Sequence, residues 1–314
     1  MKKLIIILTI VILIILIALY FVGNFLYNLA IDPTSSKEMI FKDNKTEEEK
    51  QAQQIQIEND TKWLETNAKE VYITSEDNLK LHAYEIENKE ESNIWVIAIH
   101  GYTGSGDEMI EAAKHFGDKG YHVLAIDLRG HGKSEGDYIG MGWPDRLDVI
   151  NWIQYIIQKN ENNKVILYGI SMGAATTMMT TGEELPSNVK LAIEDCGYTS
   201  VWDEFADKLN VYFHLPTFPA LDVANMLTRI RAKYDFKEAS AVKQVEKSKT
   251  PTLFIHGDED KFVPFWMLDK LYEASNCPKE KLIIQGAQHA NSSSVNPELY
   301  WNTVDNFIEK YLNN

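Results

Sequence analysis

The sequence is poor in cysteine and in positive charge, and both shortages exclude classes of protein. It has only two cysteines, Cys196 and Cys277, and no C-x-x-C pair, which excludes a disulfide framework and the cysteine spacing of zinc sites. It has 31 basic residues against 46 acidic ones, a formal net charge of −15. Because no basic field is present to replace the counterions of phosphate, nucleic acid is not an expected partner.

Motifs for metals and nucleotides are also missing. There is no H-E-x-x-H pair and no clustered set of metal ligands, so no metal site is predicted. Gly101, Gly104 and Gly106 lack the G-x-G-x-x-G spacing of dinucleotide sites. Gly132-Lys133-Ser134 resembles the end of a phosphate loop, but Asp127 stands where the first glycine belongs. The sequence therefore predicts chemistry carried out by side chains, without a cofactor.

A long apolar run occupies residues 4–22. Its nineteen residues would form roughly 28 Å of helix, close to the ~30 Å hydrocarbon core of a bilayer. Aromatic residues suited to a membrane interface crowd its far end: Tyr20, Phe21, Phe25 and Tyr27. A cleavable signal peptide is the alternative, but its apolar region is usually only about 7–15 residues long. We therefore predict an uncleaved signal anchor, a transmembrane helix, over residues 1–31.

The basic residues around this run predict its orientation. Lys2 and Lys3 precede it, and the next basic residue beyond it is Lys37. By the positive-inside rule, the N-terminus is cytoplasmic and the remaining chain lies outside the cell, held at the cell membrane by a single pass.

Residues 32–69 are polar and connect the anchor to the rest of the chain. The run from Thr46 to Glu49 has the form of a capping box, and a weak apolar stripe follows it. We predict a juxtamembrane helix here, with a solvated spacer as the alternative.

Short β-prone runs alternate with helical stretches over residues 70–314. The runs cover residues 71–74, 79–85, 94–99, 121–128, 165–168, 189–194, 252–256 and 281–284. Continuous apolar runs such as 94–99 are typical of strands that are buried on both faces. The alternation predicts an α/β domain whose mainly parallel eight-stranded sheet is covered by helices on both sides.

Residues 197–249 break this alternation, because they contain no β-prone run. An insertion of this length after a strand commonly covers a site, so we predict a small helical lid. Two ordinary covering helices are the alternative. The aromatic residues of this segment predicted to bind substrate are Trp202, Phe205, Phe213 and Phe218.

The run Gly169-Ile170-Ser171-Met172-Gly173 carries the clearest chemical signal. It reads G-x-S-x-G and stands between a β-prone run and a series of small, helix-compatible residues. At such a strand-to-helix turn the serine hydroxyl is exposed beside the N-terminus of a helix, where backbone N–H groups stabilise negative charge. Ser171 is therefore the predicted nucleophile.

A serine nucleophile needs a histidine base and a carboxylate that orients the histidine. His289 follows the last β-prone run in a loop of small residues, which favours it over His256, inside a strand, and over His214, in the predicted lid. Asp258 and Asp260 both follow the strand that ends at His256, and either could supply the carboxylate.

Residues 70–312 resemble the α/β-hydrolases, in particular bacterial esterase-like members with a signal anchor and a compact lid. The motifs are H-G-Y-x-G at His100, D-x-R-G-H-G-x-S at Asp127, G-x-S-x-G at Gly169, and H-G-x-x-D-x-x-V-P at His256. A histidine after the last strand completes the set. The resemblance implies the α/β-hydrolase fold and assigns the acid to Asp260, with Asp195 as the alternative.

The predicted function is that of a membrane-anchored serine hydrolase that cleaves acyl or lipid esters through an acyl-enzyme. The catalytic residues would be Ser171, His289 and Asp260, and the backbone N–H groups of Met172 and Tyr102 would hold the oxyanion. The expected partners are a small-molecule or lipid ester and the membrane. Alternatives are a peptidase, amidase or thioesterase on the same fold, or a non-catalytic membrane-bound binding protein.

Overall fold

The computed structural model describes residues 1–41, 46–88 and 92–312. The strands are β1 (Lys69–Thr74), β2 (Lys80–Ile86), β3 (Ile94–Ile99), β4 (His122–Ile126), β5 (Lys164–Ile170), β6 (Val189–Asp195), β7 (Thr252–Gly257) and β8 (Lys279–Ile284). The α-helices are α1 (Lys2–Ala30), α2 (Glu47–Asn67), α3 (Ile110–Asp118), α4 (Asp145–Lys159), α5 (Met172–Thr181), α6 (Val201–Phe213), α7 (Thr217–Arg231), α8 (Ala241–Val245), α9 (Trp266–Ala274), α10 (Ser292–Val295) and α11 (Pro297–Tyr311). The sequence also predicts a charged turn over residues 88–92, of which residues 89–91 lie outside the described part of the chain.

Across the described ranges the strands form one eight-stranded sheet in the order β1-β2-β4-β3-β5-β6-β7-β8. β2 pairs antiparallel with β1 and β4, and the pairs from β4 through β8 are parallel. The predicted mainly parallel, eight-stranded α/β-hydrolase sheet is confirmed. The carboxyl ends of β3, β5, β6, β7 and β8 meet at one edge, which is where ligands bind in open parallel sheets.

The sheet separates two hydrophobic cores. Along β3, Ile97 and Ile99 belong to one core, whereas Val96 and Ala98 belong to the other, as the two-residue period of a strand requires. Helices α4 and α5 cover the first face, and α3 and α11 cover the second. Strands covered on both faces explain why the sequence of β3 is apolar throughout.

Helix α1 divides into an exposed part and a packed part. The side chains of residues 4–17 are exposed, and the helix is long and apolar enough to cross a membrane. From Gly23 onward it contacts the folded body, where Tyr27 and the following Ile31 are buried. The candidate span therefore continues without interruption into the folded body.

Helix α2 forms within the polar connecting segment. Thr46 caps it: the Thr46 hydroxyl accepts a hydrogen bond from the Glu49 N–H, and the Glu49 carboxylate accepts one from the Thr46 N–H. Leu64 is buried, and Asp60 forms an ion pair with Lys114 of α3 at 3.1 Å. These contacts place the helix against the body, although the division of the chain into an anchor, a juxtamembrane segment and a catalytic domain stays a prediction.

Candidate active site

The site is built around a strained turn between β5 and α5. Ser171 has φ 56° and ψ −115°, a conformation that costs energy for a residue with a side chain. A Cβ on Gly169 would lie 2.2 Å from the Gly173 carbonyl oxygen, and a Cβ on Gly173 would lie 2.0 Å from that of Ile99. Because no side chain fits at either position, the G-x-S-x-G pattern is a steric requirement of this turn.

Ser171, His289 and Asp260 form one continuous chain of hydrogen bonds. Ser171 Oγ lies 2.8 Å from His289 Nε2, and His289 Nδ1 lies 2.7 Å from Asp260 Oδ2. The three residues follow the carboxyl ends of β5, β7 and β8, which lie within the four consecutive strands β5-β6-β7-β8 of the sheet. A proton can therefore pass between Ser171 and His289 while Asp260 fixes the ring orientation.

Asp260 is held in the ionised form that this role requires. Burial alone raises the pKa of its carboxyl, but hydrogen bonds from His256 and His289 outweigh burial and hold the pKa well below its usual range. Its other oxygen, Oδ1, accepts the backbone N–H groups of Phe262 and Val263 at 2.8 and 2.9 Å. The carboxylate is thus fixed on both sides.

The alternative acid and bases take other positions. Asp195 is buried, and its Oδ1 accepts a hydrogen bond from Ser292 Oγ at 3.2 Å, while Asp260 is the residue at His289 Nδ1. His256 Nε2 lies 3.0 Å from the Val263 carbonyl oxygen and 3.3 Å from Asp260 Oδ2, so this ring braces the acid. His214 is an exposed residue that ends α6.

The two predicted oxyanion residues both border the nucleophile. Met172 is the first residue of α5, where a backbone N–H has no acceptor within its own helix. Tyr102 lies in the loop after β3, whose Gly101 would bring a Cβ within 3.5 Å of Ser171 Cβ. The role of these two N–H groups in holding the oxyanion stays a proposal.

His100 sets the shape of this loop, a role that the sequence reasoning missed. Its Nδ1 lies 2.7 Å from the Gly101 carbonyl oxygen, and its Nε2 accepts the Leu128 N–H at 3.0 Å. Burial, helped by the adjacent His131, lowers the pKa of His100 to about 3, so the ring is neutral and its single proton points to Gly101. The histidine at the start of the H-G-Y-x-G motif was the available signal.

An apolar pocket of about 820 Å³, its open mouth included, leads to Ser171. Phe205 and Phe213 of α6, Leu221 of α7 and Tyr102 form parts of its lining. The segment between β6 and β7 therefore contributes to the pocket wall, as expected for a lid.

Two of the four aromatic residues predicted to bind substrate do not line this pocket. Phe218 is 76% exposed at the start of α7, where its backbone is extended (φ −86°, ψ 136°), as is usual before a proline. Trp202 lies in the first turn of α6, beyond the pocket, where Lys237 Nζ sits 3.9 Å from the ring centroid.

The pocket contains one buried acid, Glu204. Its carboxylate lies 3.6 Å from Lys208 Nζ and has no hydrogen-bond partner on either oxygen within the described residues. Burial raises the pKa of Glu204 to about 8, and the attraction of Lys208 offsets this only in part. At neutral pH the folded protein therefore keeps a proton on Glu204.

We expect Glu204→Gln to make the protein's stability less dependent on pH. Between the unfolded pKa of about 4.5 and the folded value of about 8, the unfolded chain has released a proton that the folded protein keeps, so rising pH destabilises the wild type. The variant has no carboxyl to titrate at this position, so it lacks this pH-dependent contribution to stability. We measure the melting temperatures of the variant and the wild type by thermal unfolding in detergent. The difference between them, variant minus wild type, should increase from pH 5 to pH 8. An offset that is constant with pH would contradict the prediction. Glu298→Gln, at an exposed site, is the control.

Cys196 completes a trio that could in principle bind a metal ion. Its Sγ lies within 4.8 Å of the ligand atoms of Asp260 and His289. Burial raises the pKa of the Cys196 thiol well above its usual value, which disfavours the thiolate that a metal needs. Both ring nitrogens of His289 also face partners already, so the trio fits a proton-transfer site better than a metal site.

Comparison with known proteins agrees with this architecture. A sequence model of the family described as "Serine aminopeptidase, S33" matches residues 90–233, under half of the chain. The Bacillus subtilis (strain 168) protein named "Uncharacterized protein YqkD" is 29% identical over 215 residues, which cover 68% of this chain and 70% of that protein. The lysophosphatidylserine lipase ABHD12 of Macaca fascicularis is 28% identical over 187 residues, 58% of this chain and 45% of the relative. The chain thus spans less than half the length of that lipase.

Solved structures show the same fold. The Pyrococcus furiosus esterase Pf2001 superposes with a TM-score of 0.65 at 26% identity, covering 80% of this chain and 95% of the esterase. The Pyrococcus horikoshii acylaminoacyl peptidase superposes with a TM-score of 0.59 at 19% identity, covering 77% of this chain and 41% of the peptidase. Together with the sheet and the turn at Ser171, these likenesses show that the chain has the α/β-hydrolase fold and support its place among the serine hydrolases of that superfamily.

Proposed function

We propose that this α/β-hydrolase is a membrane-anchored serine hydrolase that cleaves carboxylic esters, acyl or lipid, through an acyl-enzyme intermediate. The observation that carries the proposal is the chain of hydrogen bonds from Asp260 through His289 to Ser171 Oγ, placed at an apolar pocket. This is the arrangement that turns a weak serine nucleophile into a strong one.

In the proposed reaction Ser171 Oγ attacks the ester carbonyl while His289 Nε2 takes the hydroxyl proton. Asp260 stabilises the resulting imidazolium, and the N–H groups of Met172 and Tyr102 hold the oxyanion. Collapse of the tetrahedral intermediate breaks the ester C–O bond, and His289 returns its proton to the leaving alcohol. Water then repeats the sequence on the acyl-serine, releasing the acid and restoring Ser171.

Esters with an apolar acyl group fit the pocket better than peptides do. An apolar chain gains about 0.8 kcal/mol for each methylene group that it buries, and the lining offers aromatic and aliphatic surface. The names of two relatives, a lysophosphatidylserine lipase and an esterase, support the same substrate class. We propose a preference for short to medium acyl chains.

The substrate class is tested with esters of rising chain length, from acetyl to palmitoyl, and with aminoacyl amides. We expect kcat/KM to peak at short to medium esters and to be far lower for amides. Phe213→Ala should flatten the ester profile, because Phe213 lines the pocket. Phe218→Ala is the matched control on water-soluble esters, because its ring is exposed. A clear preference for amides would favour the peptidase alternative.

Helix α1 supports the proposed attachment to the membrane. A cleaved signal peptide is the alternative, but cleavage after Ala30 would remove the buried Tyr27 from the folded body. The proposed orientation leaves Lys2 and Lys3 in the cytoplasm and the catalytic domain outside the cell.

The orientation is tested by placing single cysteines on either side of α1. A cysteine at Glu48 should react with a membrane-impermeant maleimide on intact cells, and a cysteine at Lys3 should react only after lysis. Both positions are exposed, whereas the native Cys196 and Cys277 are buried. The opposite pattern would place the catalytic domain in the cytoplasm, and a soluble, shortened protein would indicate cleavage.

A further inference from the structure

The last turns of α1 lie in the same pocket as the nucleophile. Leu26, Leu29 and Ala30 are among the residues that line the cavity leading to Ser171. The Tyr102 hydroxyl donates a hydrogen bond to the Ala30 carbonyl oxygen at 2.9 Å, which ties the end of α1 to the loop beside Ser171. The candidate membrane helix is therefore a direct neighbour of the reacting atoms.

Specific contacts hold this end of α1 in place. Gly23 packs so closely on α7 that a Cβ would lie 2.5 Å from Val223 Cγ1. The Ile31 carbonyl accepts the Ile139 N–H at 2.7 Å, and Lys37 Nζ donates to the Leu29 carbonyl at 2.8 Å. Close packing and hydrogen bonds therefore hold this end of α1 against the folded body.

The contacts also show how α7 runs relative to α1. Phe25 meets Phe213, the last residue of α6, with ring centroids 5.9 Å apart. Gly23 meets the first half of α7, and Arg231 at its end lies over the ring of Tyr27 at 4.8 Å. Helix α7 therefore runs beside α1 in the same direction, and the corner between α6 and α7 faces the membrane-spanning part of α1.

That corner is apolar and open. Its exposed side chains include Val211, Leu215 and Phe218, and Phe21 of the neighbouring α1 is exposed as well. Aromatic and aliphatic side chains next to a spanning helix are typical of segments that dip into the membrane interface. The membrane itself is the occupant that this surface fits, because α1 fixes it beside the bilayer.

We propose that α1 forms one wall of the acyl pocket and that the acyl chain of a bilayer-resident lipid ester enters from the membrane, between α1 and the α6–α7 corner. This inference rests on the proposed ester hydrolase function and names its substrate class. The acyl chain lies against Leu26 and Leu29, and the ester carbonyl reaches Ser171. The helix that anchors the enzyme also selects its substrate.

The wall is tested with Leu29→Trp in the full-length protein reconstituted in nanodiscs. The larger ring fills the pocket, so kcat/KM for a decanoyl ester should fall at least about 10-fold, while that for an acetyl ester should change less than about 2-fold. Ile14→Trp, within the exposed part of α1, is the control and should leave both values unchanged. Equal decreases in kcat/KM for the two esters would contradict the proposal that α1 forms a wall of the acyl pocket.

Entry from the membrane is tested with the double variant Leu215→Glu and Phe218→Glu. Hydrolysis of a decanoyl ester embedded in vesicles should fall about 10-fold or more, and hydrolysis of a soluble acetyl ester should not change. Leu299→Glu, at an exposed apolar site on α11, is the matched control. If the double variant hydrolyses the vesicle-embedded ester as fast as the wild type does, the proposal that the acyl chain enters at this corner is wrong.

A binding measurement separates this inference from the proposed function. Octanoic acid should bind the Ser171→Ala protein, and the further change Leu29→Trp should weaken that binding at least about 10-fold by calorimetry. This readout needs no turnover, so it stands even if the wild type hydrolyses no ester. Binding that is unaffected by Leu29→Trp would overturn the inference while leaving the proposed hydrolase intact.

Discussion

Ser171→Ala is expected to abolish covalent labelling by a fluorophosphonate probe and to lower ester hydrolysis by on the order of 10⁴-fold or more. The reason is that Ser171 Oγ is the atom that would form the bond to the acyl carbon, and it lies 2.8 Å from the base that would take its proton. Without the hydroxyl only binding and the oxyanion groups remain, and these alone give a small acceleration over water.

The measurement compares probe labelling and kcat/KM for wild type, Ser171→Ala and Ser294→Ala. Ser294 is an exposed serine of α10, a few residues after His289, and serves as the matched control. The control should label and hydrolyse like wild type. Labelling that persists in Ser171→Ala would mean that another residue is the nucleophile, and the proposed mechanism would be abandoned.

The features that sequence could predict are those that depend on local geometry. A G-x-S-x-G run requires glycines at two positions because neighbouring carbonyl oxygens occupy the space of a Cβ, so Gly169 and Gly173 were readable as a turn. The capping box at Thr46 is likewise local, and it starts α2 where expected. Strands buried on both faces appear as continuous apolar runs, and the predicted sheet follows from them.

The features that sequence could not predict depend on long-range packing. An aromatic residue in the lid segment can face the pocket, as Phe213 does, or solvent, as Phe218 does, and only the position of α1 and α7 decides between them. An apolar run suited to the bilayer carries no sign that its last turns also line a pocket, as Leu26 and Leu29 do. Such contacts join residues far apart in the chain, and the periodic pattern of apolar residues does not predict them.

Asp260→Asn is expected to lower kcat by on the order of 10²–10⁴-fold with little change in fold. The ionised Asp260 carboxylate accepts a hydrogen bond from the N–H at His289 Nδ1, 2.7 Å away, which leaves Nε2 free to take the proton of Ser171. An asparagine amide can turn its NH₂ group toward Nδ1 and donate instead. The ring proton then moves to Nε2, facing Ser171 Oγ, and the histidine can no longer act as a base. The variant also loses the charge that stabilises the imidazolium.

Asp195→Asn is the matched comparison, and we expect it to cost much less than Asp260→Asn. Asp195 is a buried carboxyl at the neighbouring strand end, but its Oδ1 accepts from Ser292, and an amide oxygen can accept the same bond. Steady-state kinetics at neutral pH, with thermal unfolding to confirm that both variants fold, give the ranking. If Asp195→Asn is the more damaging change, the acid that orients His289 is Asp195, and the proposed proton path must be redrawn through β6.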